Sequence, residues 1–390
     1  MSALTSWAYL SRVIEGPSTH LQELLRAGRD ADEIARGIRH RASWLGPLLR
    51  TTERRYDWDR PEEDLEQAHS LGYALLTPEA AGWPSTRIEE AFVRGAFASR
   101  ENMDNPIADA AAPHALWVRG AHDLAQLCEQ SVAFVGTRAA TAYGHQATQD
   151  LVTSVAKHRY TVISGGALGI DTVAHEAALA ARTPTVVVAA CGPGITYPRR
   201  NERLFDRIVA AGGSVVSEYP PGVTPDRHRF LTRNRLVAGL SQGSVVVEAA
   251  FRSGALNTLK WARYYNRQAM AVPGSILGAG SLGANLAIRN GSATMVLNGE
   301  QIHAQLGELG TSEGEEQLEL EYAANPVQQL SHNELRIYDA TPPHDTQARE
   351  AEEIAASAGM STGLTVHLLM ELERRGLVQR NRRVWSRTQT

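Results

Sequence analysis

The chain is poor in lysine, cysteine and aromatic rings. Only Lys157 and Lys260 are lysines among 39 basic residues, so arginine carries nearly all the positive charge. A guanidinium meets phosphate as a planar two-pronged donor, whereas an ammonium meets it as a point charge. The two cysteines, Cys128 and Cys191, lie far apart, which excludes a disulfide framework and a paired-cysteine zinc site. No apolar run approaches the ~20 residues that a membrane-spanning helix needs. The stretch Met1–Ser6 has no basic region followed by an apolar one, so a cytoplasmic protein with no membrane partner is expected. Walker A, H-E-x-x-H and G-x-S-x-G sequences are all missing. Nucleoside triphosphate, zinc-protease and serine-hydrolase chemistry therefore have no motif to rest on.

The net charge of −4 hides an uneven distribution. Ser131–Glu300 holds 17 Lys/Arg against 9 Asp/Glu, and the acidic surplus lies on either side of it. A positive middle between acidic flanks points to an anionic ligand for the middle. That middle alternates strand and helix patterns. Val132–Val135 leads through Gly136, Thr137 and Arg138 into a helix-like run to Lys157, and Thr161–Ser164 leads through Gly165, Gly166 and Gly169 into a second, to Ala181. Further strands are expected at Thr185–Ala190, Ser214–Ser217, Ser244–Glu248 and Ala269–Val272, with helices at Glu202–Ala211, Leu236–Leu240 and Leu256–Asn266. This alternation predicts an α/β fold, an extended Rossmann-like and mostly parallel sheet covered on both faces.

The flanks read differently. Residues 1–70 place apolar side chains at helical spacing, as at Leu21, Leu24 and Leu25, which suggests a small helical domain of SAM-like or helix-hairpin-helix type. Residues 71–300 then hold a connecting region, with a loop at Asn102–Pro113 and a strand at Ala115–Gly120, and the Rossmann-like domain. The acidic stretch 301–327, with Glu313, Glu315 and Glu316, reads as a solvated linker. Residues 328–390 give helices at Glu352–Ala358 and Thr362–Arg375, a stop at Gly376 and a hairpin over Leu377–Trp385, the outline of a winged helix. Its Arg374, Arg375, Arg380, Arg382 and Arg383 are available to phosphates.

A strand, a glycine turn and a helix start present backbone N–H groups to an anion, so the turns at Gly136–Arg138 and Ser164–Gly169 are expected phosphate sites. In a parallel sheet the loops after strand C-termini gather on one edge. That edge would collect Arg138, Arg199 and Arg200, and also Arg233 and Arg235. Arg252–Thr258 offers a further small-residue turn before a helix. Several arginines and several turns on one edge suit an extended polyanion, with Tyr197 or Phe205 as the ring on which a base stacks. Asp171 and His175 lie four apart; the acid/base reading competes with a helix-capping carboxylate and a packed histidine, and the second is favoured. Cys191 reads as a small buried residue.

These segments carry a resemblance. Phe134–Gly144, Val162–Leu179, Ile195–Leu204, Ser217–Pro220, Phe230–Leu240, Ser253–Thr258, Ala271–Gly274, Gly283–Asn285 and Asn290–Ala293, in that order, resemble the bacterial DNA-processing protein A family, also called DprA or Smf. The resemblance implies a Rossmann-like domain that binds single-stranded DNA, protects incoming strands in natural transformation and loads a RecA-type recombinase. It implies a homodimer, no catalytic activity, no cofactor and no metal. It carries DNA contacts onto Gly136, Thr137, Arg138, Ser164, Gly165, Gly166 and Gly169, and onto Arg199, Arg200, Asn201, Arg233 and Arg235. The chain departs from the family at Leu231, where proline is usual, and at Gly166, where an aliphatic residue is usual. Two other functions are weighed beside it. One is hydrolysis of a nucleoside monophosphate to base and ribose phosphate, with Glu248 as the carboxylate. The other is a transcription regulator that reads duplex DNA with the winged helix.

Overall fold

The computed structural model describes residues 3–96, 109–307, 326–327 and 330–388. They belong to two compact units, Met1–Thr311 and Ser312–Thr390. Most of the expected loop at Asn102–Pro113 and most of the acidic linker lie outside the described residues.

The first unit is built on a nine-stranded sheet. Its strands are β1 (Tyr73–Leu76), β2 (Leu116–Gly120), β3 (Ser131–Val135), β4 (Thr161–Ser164), β5 (Thr185–Ala189), β6 (Ser214–Ser217), β7 (Gly243–Val246), β8 (Gln268–Ala271) and β9 (Thr294–Met295). The order across the sheet is β1-β2-β6-β5-β4-β3-β7-β8-β9. From β6 to β9 every pairing is parallel, and β1 and β2 add on antiparallel. Val132, Val162, Val186 and Val245 are fully buried. Short runs of β-branched residues with no polar face are what a sheet covered on both sides requires. Each such side chain stabilises the fold by about 1.5–3 kcal/mol through burial. The order reverses between β3 and β7, and a crevice at the strand C-termini is expected at such a reversal.

Helices cover the two faces, among them Ala142–Lys157, Ile170–Ala180, Arg227–Gly239 and Ala255–Tyr264. The Arg227–Gly239 helix corrects the sequence reading, which began it at Leu236. Asp226 caps it by accepting the His228 N–H. Its first two turns are so rich in arginine that no apolar stripe marks them.

The N-terminal helices share a core with the sheet edge. Trp7, Tyr9, Leu10, Ile34 and Ile38 pack with Leu75 of β1 and Trp117 of β2. The Trp117 indole N–H donates to Ser11 Oγ at 3.0 Å. Arg12 pairs with Asp64 and donates to the Pro221 carbonyl at 2.8 Å. The region read as a connection thus contributes two strands of the main sheet.

The second unit has helices His332–Ala340, Ala351–Ala358 and Thr362–Arg374. Its sheet has the order β10-β12-β11, from Arg349–Glu350, Val384–Arg387 and Val378–Asn381. Ile337, Ile354, Leu369, Leu372 and Trp385 form its core. This is a winged-helix arrangement. The first of its described helices, closed by a reciprocal cap between Ser331 and Glu334, was absent from the sequence reading although Ser-x-x-Glu announces it.

Candidate nucleic-acid interface

A cavity of about 960 Å³ opens at the C-terminal ends of β3, β4 and β7. Gly136 begins its wall, because a Cβ there would lie 2.4 Å from Ile170. The Thr137 N–H donates to the Glu248 carbonyl at 2.7 Å, which pins the turn. Arg138 then projects outward, its guanidinium 5.1 Å from the Phe230 ring centre. Tyr197 stands 5.3 Å from the same ring. Arginine and two aromatic rings therefore share one wall of the cavity.

Arg233 forms the floor. It is buried, and Nη1 donates to the Gly165 carbonyl at 2.5 Å and to the Val188 carbonyl. Gly165 must be glycine here, since a Cβ would sit 2.5 Å from the guanidinium. Burial pulls the Arg233 pKa down, and the Asp171 carboxylate opposes that. Burial pushes Asp171 up, against Arg233 and the amides of Ala167 and Gly165. Asp171 accepts from the Gly165 and Ala167 N–H groups at 3.1 and 3.3 Å. The pair is a brace beneath the cavity.

That brace corrects the phosphate-nest expectation. Two amides of the Ser164–Gly169 turn, those of Gly165 and Ala167, are held by a carboxylate of the protein itself. At the first turn, the Glu248 carboxylate takes the Thr141 N–H at 3.0 Å, just ahead of the Ala142–Lys157 helix. An anion at either turn would find part of the donors taken and a carboxylate of the protein nearby. At the Ala255–Tyr264 helix start, Gly254 has open space around it and lines the cavity, and the Ala255 N–H donates to Ser253 Oγ at 3.3 Å.

The expected site residues separate into groups. Gly136, Thr137, Arg138, Gly165 and Arg233 line the cavity. Ser164 is buried and donates to the Phe134 carbonyl at 2.6 Å. Gly166 and Gly169 hold the turn with positive φ. Asn201 is buried and donates to the Gly166 carbonyl and to Thr172 Oγ1. Arg199 and Arg200 are exposed next to Tyr197, outside the cavity lining.

Two expectations fail. Arg235 does not reach the edge: it is fully buried and paired with Glu218, also buried, Nη2 standing 2.6 Å from Oε2. Two residues along a helix turn the side chain by about 200°, so Arg233 and Arg235 leave on opposite sides. Phe205 is buried beneath Gly166, where a Cβ would come within 2.7 Å of its ring, and it cannot stack on a base.

Sequence reasoning missed several contributors. Arg227, Lys260 and Phe251 line the cavity and are exposed. The late start assigned to the Arg227–Gly239 helix hid Arg227. Lys260 was overlooked although it is one of two lysines.

Asp171 and His175 are not an acid/base pair. His175 is buried against Thr185, Nδ1 to Oγ1 at 2.7 Å, and burial pushes its pKa down to about 3. Cys191 is buried, with burial raising its pKa, and its thiol donates to the Ile195 carbonyl. Among the described residues no His, Cys, Asp and Glu group is arranged to hold a metal ion. None of their helices is long and apolar enough to cross a membrane.

Residues 101–307 match the model of the DNA recombination-mediator protein A family. A DNA processing protein DprA of Mycobacterium tuberculosis is 38% identical over 377 residues, covering 96% of this chain and 92% of that protein. The DprA of Streptococcus pneumoniae is 38% identical over 50% of this chain and 67% of its own. The solved structure of the Streptococcus pneumoniae protein aligns with a TM-score of 0.55 and 30% identity, over 69% of this chain and 87% of that one. The shared sheet and the near full-length identity give one conclusion: this chain belongs to the DNA recombination-mediator protein A family, the DprA/Smf family of DNA-processing proteins.

Proposed function

We propose that the protein binds single-stranded DNA along the Arg138–Lys260 groove, shields it, and hands it to a RecA-type recombinase during natural transformation. In this reading it works as a homodimer, takes no cofactor and performs no chemistry on the strand. The observation that carries the reading is the composition of the groove. Arg138, Arg227, Arg252 and Lys260 face solvent there, with Tyr197 and Phe251 exposed among them. Cations track a phosphate backbone, and exposed rings accept unpaired bases, which a duplex does not offer.

Binding of a labelled dT oligomer, followed by fluorescence anisotropy, tests the reading. Arg138→Ala and Arg252→Ala are each expected to weaken it several-fold while the fold is retained. Unchanged affinity in both overturns the assignment of the groove. Release of adenine from AMP would instead establish the nucleotide-hydrolase alternative.

A further inference from the structure

A second cavity, of about 510 Å³, lies beside the groove. The same two loops separate them. The loop after β3 gives Thr137 and Arg138 to the groove and, with the first turn of the Ala142–Lys157 helix, Thr141 and Tyr143 to the second cavity, and the loop after β7 gives Phe251 to the groove and Glu248 to the second cavity. Its remaining wall is the Pro273–Ser281 loop.

The walls are unlike those of the groove. Among the described residues they contain no arginine or lysine, and Glu248 is their one carboxylic acid. Glu248 is only 2% exposed. Oε2 takes the Thr141 N–H, while Oε1 accepts no hydrogen bond from a described residue. Gly280 leaves room for Oε1, since a Cβ there would lie 2.9 Å away. The Tyr143 ring forms one side, its hydroxyl donating to the Pro273 carbonyl. At the tip of the facing loop Ile276 and Leu277 are 92% and 94% exposed and lie outside the cavity lining.

A carboxylate without a cation repels phosphate and favours a neutral donor. A flat ring with an amine fits: the amine meets Oε1, and the ring lies against Tyr143. We propose that the second cavity reads a base of the strand lying in the groove, accepting an exocyclic amine and disfavouring a carbonyl. Cytosine presents N4–H₂ at its edge. Uracil presents its one N–H between two carbonyls, which face the carboxylate with like partial charge. The inference rests on the proposed function, because the groove delivers the strand.

The test compares dC and dU oligomers of equal length with the full-length protein. Wild type is expected to bind dC roughly tenfold tighter, the scale of one hydrogen bond to a charged group. In Glu248→Gln the amide oxygen still serves Thr141 and Nε2 turns to the cavity, so the dC preference should vanish or reverse. Equal, tight binding of both oligomers by wild type overturns the base-reading site and leaves the groove standing. Failure of both to bind overturns the groove itself, and with it this inference. Free dCMP competes in a further arm: Glu248-dependent binding of dCMP without discrimination between oligomers identifies a mononucleotide site and overturns the proposal.

Discussion

Replacing Arg235 by methionine is expected to cost the first unit about 3–5 kcal/mol, the penalty of leaving a buried charge without its partner. The geometry sets that scale. Arg235 and Glu218 have 0% and 1% side-chain exposure, and a single nitrogen of the guanidinium serves both carboxylate oxygens. Burial raises the Glu218 pKa and Arg235 opposes the rise. Without the guanidinium the carboxyl rises further. The deficit is therefore fully present above the folded-state pKa of Glu218 and shrinks as pH falls through it, because the neutral acid tolerates burial. Arg235→Met with Glu218→Leu removes both charges and should recover most of the loss. Guanidinium unfolding followed by tryptophan fluorescence reads this directly, since all tryptophans but Trp385 lie in the first unit. At a denaturant concentration where the variant is folded, its affinity for dT should match wild type. A single variant as stable as wild type but unable to bind DNA would show that Arg235 touches the strand. A double variant no more stable than the single one would show that uncompensated charge is not the cause.

Three further expectations concern stability. His175 and His114 are fully buried, and burial pushes them down to about 3 and about 4. The unfolded chain takes up these protons below ~6.5 and the native one does not. Stability should therefore fall as pH drops below that point, by about 2 kcal/mol per histidine between pH 6.5 and 5. Tm should decline over this range, with a shallower slope in His175→Gln; a flat Tm contradicts the burial argument. Gly166→Ala places a methyl 2.7 Å from Phe205 at φ +70°, and thermal melting should show a loss of about 1–3 kcal/mol. Ser331→Ala removes the reciprocal cap of the His332–Ala340 helix, worth about 1 kcal/mol. Amide exchange in that helix should quicken about fivefold, and unchanged exchange would mean that packing alone holds it.

The central parallel strands were legible because their residues are mostly β-branched and lack a polar side, whereas β9, only two residues long, gives no such signal. Val132–Val135 and Thr161–Ser164 admit little else. β1 was not legible: Tyr-Ala-Leu-Leu carries no alternation, and only pairing with β2 makes it a strand. The arginines were legible as a surplus, but not by direction. Whether Arg233 or Arg235 faces the edge depends on where its helix begins, and Asp226 sets that. The glycine turns were found, yet Asp171 holds the Gly165 and Ala167 amides and Glu248 the Thr141 amide, and those bonds exist only once the loops have folded.

Salt titration of single-stranded and duplex DNA of equal length tests the central claim most directly. Four solvent-facing cations line the groove, Arg138, Arg227, Arg252 and Lys260. Each phosphate they neutralise contributes about −0.7 to the slope of log K against log salt, so a slope of about −3 is expected for the single strand. The single strand should also outcompete the duplex at both low and high salt. A slope near zero, or tighter binding of the duplex, contradicts the account.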